Sequence, residues 1–145
     1  MSGNKFVVRK AKLKDIDSIV PLIIELGYPA IKDEVFKRLK KIFLDEKQDV
    51  FVAGQDKVVG WMHISLIETL ESGPFAEILG IVVNEKWRGK GAGTRLISTA
   101  AEWAKKRACK RIRIRTNVKR INTREYYRNL GFVPIKTQEV FEKEI

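Results

Sequence analysis

Residues 75–107 constrain this chain more than any other stretch. An apolar run at 75–83 passes through a polar, glycine-rich segment at 84–92 into an amphipathic helix at about 93–107. The run is interrupted only by Glu77, and a strand so nearly continuous in apolar residues needs cover on both faces, which makes it central in its sheet. The helix carries Leu96, Ile97, Ala100, Ala101 and Ala104 on one side. Arg and Ile then alternate over 111–116, a strand with Ile112 and Ile114 toward the core. Two strands joined by a crossing helix run parallel.

The rest of the chain adds shorter units. A first strand is expected at 6–10, and a helix at 15–26 with Ile16, Ile19, Val20, Ile23 and Ile24 at helical spacing. Asp15 or Asp17 can cap that helix and Gly27 ends it, while Pro21 inside it must kink or split it. A second helix at about 32–44 places Val35, Leu39, Ile42 and Phe43 on one face. Strands at 50–53 and 58–67 flank a hairpin turn at 54–57, and a loop covers 68–74. A short helix at about 122–130 stops at Gly131, and strands at 133–134 and 137–142 follow. The expected fold is α/β of the α+β type, a mixed, mostly antiparallel central sheet with helices on both faces. No repeat, linker or shift in composition divides the chain, so a single domain over 1–145 is expected.

Composition narrows the function classes. With 44% hydrophobic and 32% charged residues the chain is globular. Cys109 is its only cysteine and His63 its only histidine, which excludes an intrachain disulfide and disfavours a structural zinc site. No metal is expected. The first residues lack the apolar core of a secretory signal, and the apolar runs are too short to span a membrane, so a cytoplasmic location without membrane attachment is expected. Lysine and arginine number 29 against 18 aspartates and glutamates, a net charge of +11. Such a field attracts polyanions, whether nucleic acid, an acidic membrane or a phosphate-rich small molecule, unless it is only a solvated basic surface.

The strand–loop–helix segment suggests which anion. Glycines let a backbone approach a ligand and turn its N–H groups inward, and a helix N-terminus adds free donors with a partial positive charge. Together they suit phosphate oxygens. Arg88 and Lys90 add formal charge. No Gly-Lys is followed by Ser or Thr, so the nucleoside-triphosphate loop is absent, and Thr94 stands where a dinucleotide fingerprint needs its third glycine.

The pattern that fits is R/Q-x-x-G-x-G/A, read in Arg88-Gly89-Lys90-Gly91-Ala92-Gly93 after the strand. A second element, Tyr126-Tyr127-Arg128-Asn129-Leu130-Gly131-Phe132, has the form Y-x-x-x-G-F. Together they resemble the GNAT superfamily of acetyl-CoA-dependent N-acetyltransferases, and the element order resembles it over nearly the whole chain. The resemblance implies that Arg88, Gly89, Lys90, Gly91, Ala92, Gly93 and Thr94 cradle the pyrophosphate of acetyl-CoA. It implies that the backbone of Ile81, Val82 and Val83 pairs with the pantetheine arm, in a gap between Val83 and Thr116, and supplies an oxyanion donor. Asn122 or Asn117 would contact pantetheine.

Acetyl transfer to an amine needs a base for the ammonium and an acid for the departing thiolate. Tyr127 matches the family's thiolate-protonating tyrosine, and a phenol with an ordinary pKa of about 10 is protonated at neutral pH. Tyr126 is expected in the core. Phe75-Ala76-Glu77-Ile78 resembles the strand that carries a glutamate base in histone-type members. Glu77 lies six residues before Val83, so in a regular strand both point to one face. A structural ion pair is the alternative for Glu77. The resemblance also suggests that residues 26–30, with Tyr28, shape an acceptor pocket.

His63 is expected as a packed or surface residue, and Cys109 as inert. The acceptor would be an amine on a small molecule or peptide. Pairing through 137–142 would make a homodimer. Two other readings compete. One is a non-catalytic CoA-binding module or sensor. The other is a basic nucleic-acid-binding domain, which lacks any recognised nucleic-acid motif and is disfavoured.

Overall fold

β-Branched and apolar alternation builds a sheet of five strands in the order β1-β2-β3-β4-β5: β1 Val7–Lys10, β2 Gln48–Gly54, β3 Val58–Thr69, β4 Ser72–Val83 and β5 Ile112–Ile114. The computed structural model describes residues 6–116 and 121–145. The chain forms two compact units, one up to Ile114 and one from Arg115 on.

In the first unit β1 to β4 are antiparallel neighbours and β5 joins β4 in parallel, as the crossing helix requires. β4 is therefore an interior strand with a neighbour on each side, in keeping with its apolar run, while β3 is the middle strand. The loop expected at 68–74 is instead a tight hairpin, because β3 and β4 each run to 12 residues and Thr69 pairs with Ser72. Charged and glycine residues there hid two strand ends that need only backbone pairing.

Helices cover both faces. α1 Ile16–Leu26 and α2 Lys32–Phe43 bury Ile16, Ile19, Leu22, Val35 and Leu39 against Val50, Val52, Trp61 and Val82 of the sheet. The other face carries buried Phe51, Ala53, Met62, Ile64, Ala76 and Ile78. There α3 Ala92–Lys106 turns Leu96, Ile97, Ala100, Trp103 and Ala104 inward. The Trp103 indole donates to Asp49 Oδ2 at 2.6 Å, and Arg107 stacks 3.8 Å above its ring, fastening α3 to β2.

Several expectations change. α1 runs through Pro21 without splitting. Proline removes one hydrogen bond, to the Asp17 carbonyl, and both residues are exposed, so water can serve that carbonyl. Gly27 ends α1 at φ 109°, as expected. Asp15 precedes α1 but its side chain does not cap that helix, because the carboxylate is taken by Arg9 and by the Lys12 amide, where it closes the 3-10 turn Leu13–Asp15. Phe43 is 40% exposed at the end of α2, off the apolar face.

The second unit contains α4 Ile121–Asn129, closed by Gly131 at φ 95°. Tyr126 is 39% exposed, not core, because α4 turns it outward beside Tyr127. The strands expected at 133–134 and 137–142 do not form. A strand exists only with a ladder partner, and none of the described residues pairs with these. Val140, Phe141 and Ile145 are left exposed. Asn117 lies outside the described residues.

Candidate active site

One inserted residue decides which way β4 points its side chains. Ile64 faces Ile78, but the next partner back along β3, His63, faces Gly80, so Leu79 bulges out of the ladder. Paired residues share a face. Phe75 and Glu77 therefore share one with Gly80 and Val82, and across the ladder with Ser65, His63 and Trp61. Val83 and Ile81 belong to the opposite face. The expectation that Glu77 and Val83 point the same way is wrong: a bulge shifts period-2 counting by one. Glu77 is buried at 7% exposure, its Oε1 withdrawn from solvent, beside Ser65 on β3 and Arg113 on β5 in register. It thus lies on the sheet face that α1 and α2 cover.

Among the described residues, the outer edge of the same strand is open, with no strand partner beyond Ile78. β4 pairs with β5 only from Ala76↔Ile112 to Ile78↔Ile114, yet it continues to Val83. Beyond it, the Asn84 amide donates back to Val59 O on β3 at 2.7 Å. The carbonyl of the same peptide, that of Val83, must then face away from β3, and alternation turns the amides of Val83 and Ile81 the same way. These main-chain groups lie past the last β5 pair.

From this edge the chain enters the loop. The Asn84 side chain accepts from the Lys86 amide at 3.0 Å and starts a 3-10 turn, Glu85–Trp87. Trp87 stands edge-on to buried Phe6, with ring centroids 6.1 Å apart. Gly89 at φ 76° and Gly91 at φ 98° occupy the left-handed region. A Cβ on Gly91 would meet nothing within 4 Å, so it is the backbone conformation that requires glycine there. Gly91 caps α3 with no side-chain hydrogen bond, and Ala92, 1% exposed, anchors the first turn. The first amides of the helix have no carbonyl of their own turn to reach. Lys90 is exposed beside them.

Arg88 is committed elsewhere. Its Nε donates to Val83 O at 3.0 Å and its Nη2 to Glu25 Oε2 at 3.1 Å. Glu25, on α1, also accepts from the Glu85 amide at 2.8 Å and from Asn84 Nδ2 at 3.3 Å. Sequence reasoning missed Glu25, since nothing local links it to residues about 60 positions away.

His63 is half-buried, and its Nε2 lies 2.7 Å from Gln48 Oε1. Gln48 Nε2 donates to Asp45 Oδ2 at 2.7 Å. A carboxylate only accepts, so the Gln48 amide oxygen must face His63, whose Nε2 carries the proton. Burial pushes the imidazole below its usual range, which favours that neutral form. In the second unit Tyr127 packs edge-on to Phe132 at 5.7 Å, and its carbonyl accepts from the Phe132 amide at 3.0 Å. Asn122 is exposed on α4. Among the described residues no group of three His, Cys, Asp or Glu side chains could hold a metal, and no helix is long and apolar enough to cross a membrane.

Comparison with known proteins identifies the fold and the family. The chain is 28% identical over 137 residues to an uncharacterized N-acetyltransferase of Methanocaldococcus jannaschii, a match that takes in 88% of this chain and 60% of the relative. The chain thus spans about 60% of that relative's length. The fold matches the aminoglycoside antibiotic 6'-N-acetyltransferase AAC(6')-Ih of Acinetobacter baumannii with a TM-score of 0.84 at 19% identity, over 97% of this chain and 99% of the other. It also matches AAC(6')-Iy, solved in complex with the bisubstrate analog CoA-S-monomethyl-acetylneamine, with a TM-score of 0.85 at 18% identity over 97% and 99%. The sequence model of the acetyltransferase (GNAT) family matches residues 16–132, and this chain belongs to that family.

Proposed function

We propose that the chain moves an acetyl group from acetyl-CoA to a primary amine of a small molecule or peptide by direct attack through a tetrahedral intermediate. The observation that carries this reading is the open edge of β4. The ladder with β5 stops at Ile78 while β4 runs on to Val83 and then through two left-handed glycines into α3. An extended arm bearing amides can pair with such an edge, as an added strand would, and a pyrophosphate suits the helix N-terminus. The outward main-chain groups of Ile81 and Val83 would hold pantetheine and the oxyanion, while those of Val82 between them stay in the ladder with β3. Gly89, Lys90, Gly91, Ala92, Gly93 and Thr94 would hold the pyrophosphate. Asn122 would contact the arm.

Glu77 is the proposed base and Tyr127 the proposed acid. The amine nitrogen bonds the acetyl carbon and gives up its proton to the Glu77 carboxylate, directly or through water. The C–S bond breaks, and the leaving sulfur takes the phenolic proton. The buried position of Glu77 on the face that α1 and α2 cover supports an acceptor approaching from that side. No metal takes part in this scheme. We place the enzyme in the cytoplasm and take it as a homodimer, in which a second copy would cover Val140 and Phe141.

Calorimetric titration with acetyl-CoA, CoA and dephospho-CoA at two salt concentrations tests the cofactor half. Saturable micromolar binding, weakened by Gly91→Trp, is expected. Thiol release with a panel of amines tests the chemistry. Tyr127→Phe or Glu77→Gln should slow it by about 10²–10⁴-fold, the usual contribution of a general acid or base. Binding without turnover of any amine would leave a CoA-binding module. No binding of any CoA species by folded protein would end the reading.

A further inference from the structure

The last turn of α1 breaks a local rule. A helix C-terminus carries partial negative charge and favours cations, yet the last turn of α1 has no basic residue and holds Glu25. The carboxylate is compensated from outside the helix. It accepts from Glu85 N at 2.8 Å, Arg88 Nη2 at 3.1 Å and Asn84 Nδ2 at 3.3 Å. These three donors span the exit of β4 into the glycine loop. Arg88 closes the ring by donating its Nε to Val83 O at 3.0 Å, on the open edge.

We infer that Glu25 is a positioning residue for the cofactor loop. It works through Arg88 and the Glu85 amide to fix where the open edge ends and where the glycines begin. The inference rests on the acetyl-CoA reading above. It also reassigns Arg88, whose guanidinium serves chiefly as a clamp between α1 and β4 instead of as a phosphate ligand. Local violations of this kind are retained where a site needs them. Because residues 26–30 follow directly on Glu25, the clamp also ties the segment flanking the proposed acceptor side to the loop that would hold the cofactor.

The sign of one measurement separates positioning from simple charge. Glu25 brings a negative charge near a site proposed for an anion. If charge alone mattered, removing it would tighten acetyl-CoA binding, and salt would erase the gain. If Glu25 positions the loop, removing it weakens binding at every salt concentration. We expect Glu25→Ala to raise the Kd for acetyl-CoA about tenfold, which is about 1.4 kcal/mol. Glu25→Gln, which keeps one acceptor oxygen and the side-chain length, should recover part of that loss. Arg88→Ala should weaken binding similarly, and the double variant little further, as residues of one network couple.

Amide hydrogen exchange gives a readout independent of ligand: the Glu85 amide should lose protection in Glu25→Ala while protection in β3 stays. Thermal unfolding checks that each variant is folded, and Glu25→Gln stands in if Glu25→Ala is not. An unchanged or tighter Kd in folded Glu25 variants, or fully additive losses with Arg88→Ala, would overturn the inference. Failure of the wild-type chain to bind acetyl-CoA would instead overturn the reading on which it rests.

Discussion

Trp61 lies across Gly80: a Cβ built on the glycine would come within 3.0 Å of both Cη2 and Cζ3 of the indole. The two residues share the face that α1 and α2 cover, one on β3 and one just past the bulge on β4. The ring is 9% exposed and belongs to that core, so it has little room to retreat.

Gly80→Ala should therefore destabilise the protein by about 1–3 kcal/mol, the usual cost of overpacking. Urea unfolding at neutral pH measures it. Trp61→Leu has its own packing cost, but adding Gly80→Ala to it should cost little more, because the obstacle is gone. Full additivity in that double variant would show that the ring is not what excludes a side chain at 80.

Much of the frame of the candidate site was legible because its signals are local. Gly89 and Gly91 are the left-handed positions of the loop, α3 begins within one residue of its expected start, and β4 is an interior strand. The bulge at Leu79 was not legible. Its residues are as apolar as their neighbours, and only the partner strand shows that one of them is extra. Glu25 was hidden for a different reason: its partners lie about 60 positions away, and in sequence it is one more charge on a helix. The strands expected beyond Gly131 failed because alternation states only which faces a strand would have. It does not supply the neighbour.

Asp15 sets an acid limit. It is 6% exposed and accepts from Arg9 Nη1 and Nη2 at 2.8 and 2.9 Å and from the Lys12 amide at 2.7 Å. The hydrogen bonds from Arg9, then the Lys12 amide and nearby positive charge, hold its carboxyl below the usual carboxylate range against the opposing effect of burial. A folded value below the unfolded one means that the unfolded chain binds more protons in the window between them. This stability is present above the unfolded value of about 3.9 and is lost as pH falls through the folded one. Asp15→Asn should cost about 1.5–3 kcal/mol at neutral pH, the scale of hydrogen bonds to a charged group. It should also flatten the fall in stability below about pH 4. Chemical denaturation of both proteins across that range measures the two effects, and parallel acid profiles would remove Asp15 as their source.

Cys109 gives the last prediction and bears on any assay that follows thiol release. The thiol is 7% exposed just after α3, and burial pushes its pKa up although Arg107 pulls it down. The nucleophile in disulfide exchange is the thiolate, so both low access and a raised pKa slow it. A chromogenic disulfide reagent at pH 8 should react with the native protein more than about tenfold slower than with a free cysteine. One equivalent should appear at once on unfolding in urea. The native rate should also climb with pH beyond the point where an exposed thiol has levelled off. Rapid stoichiometric labelling of folded protein would mean that this end of α3 opens readily, and Cys109→Ser would then be needed before thiol release could be read as turnover.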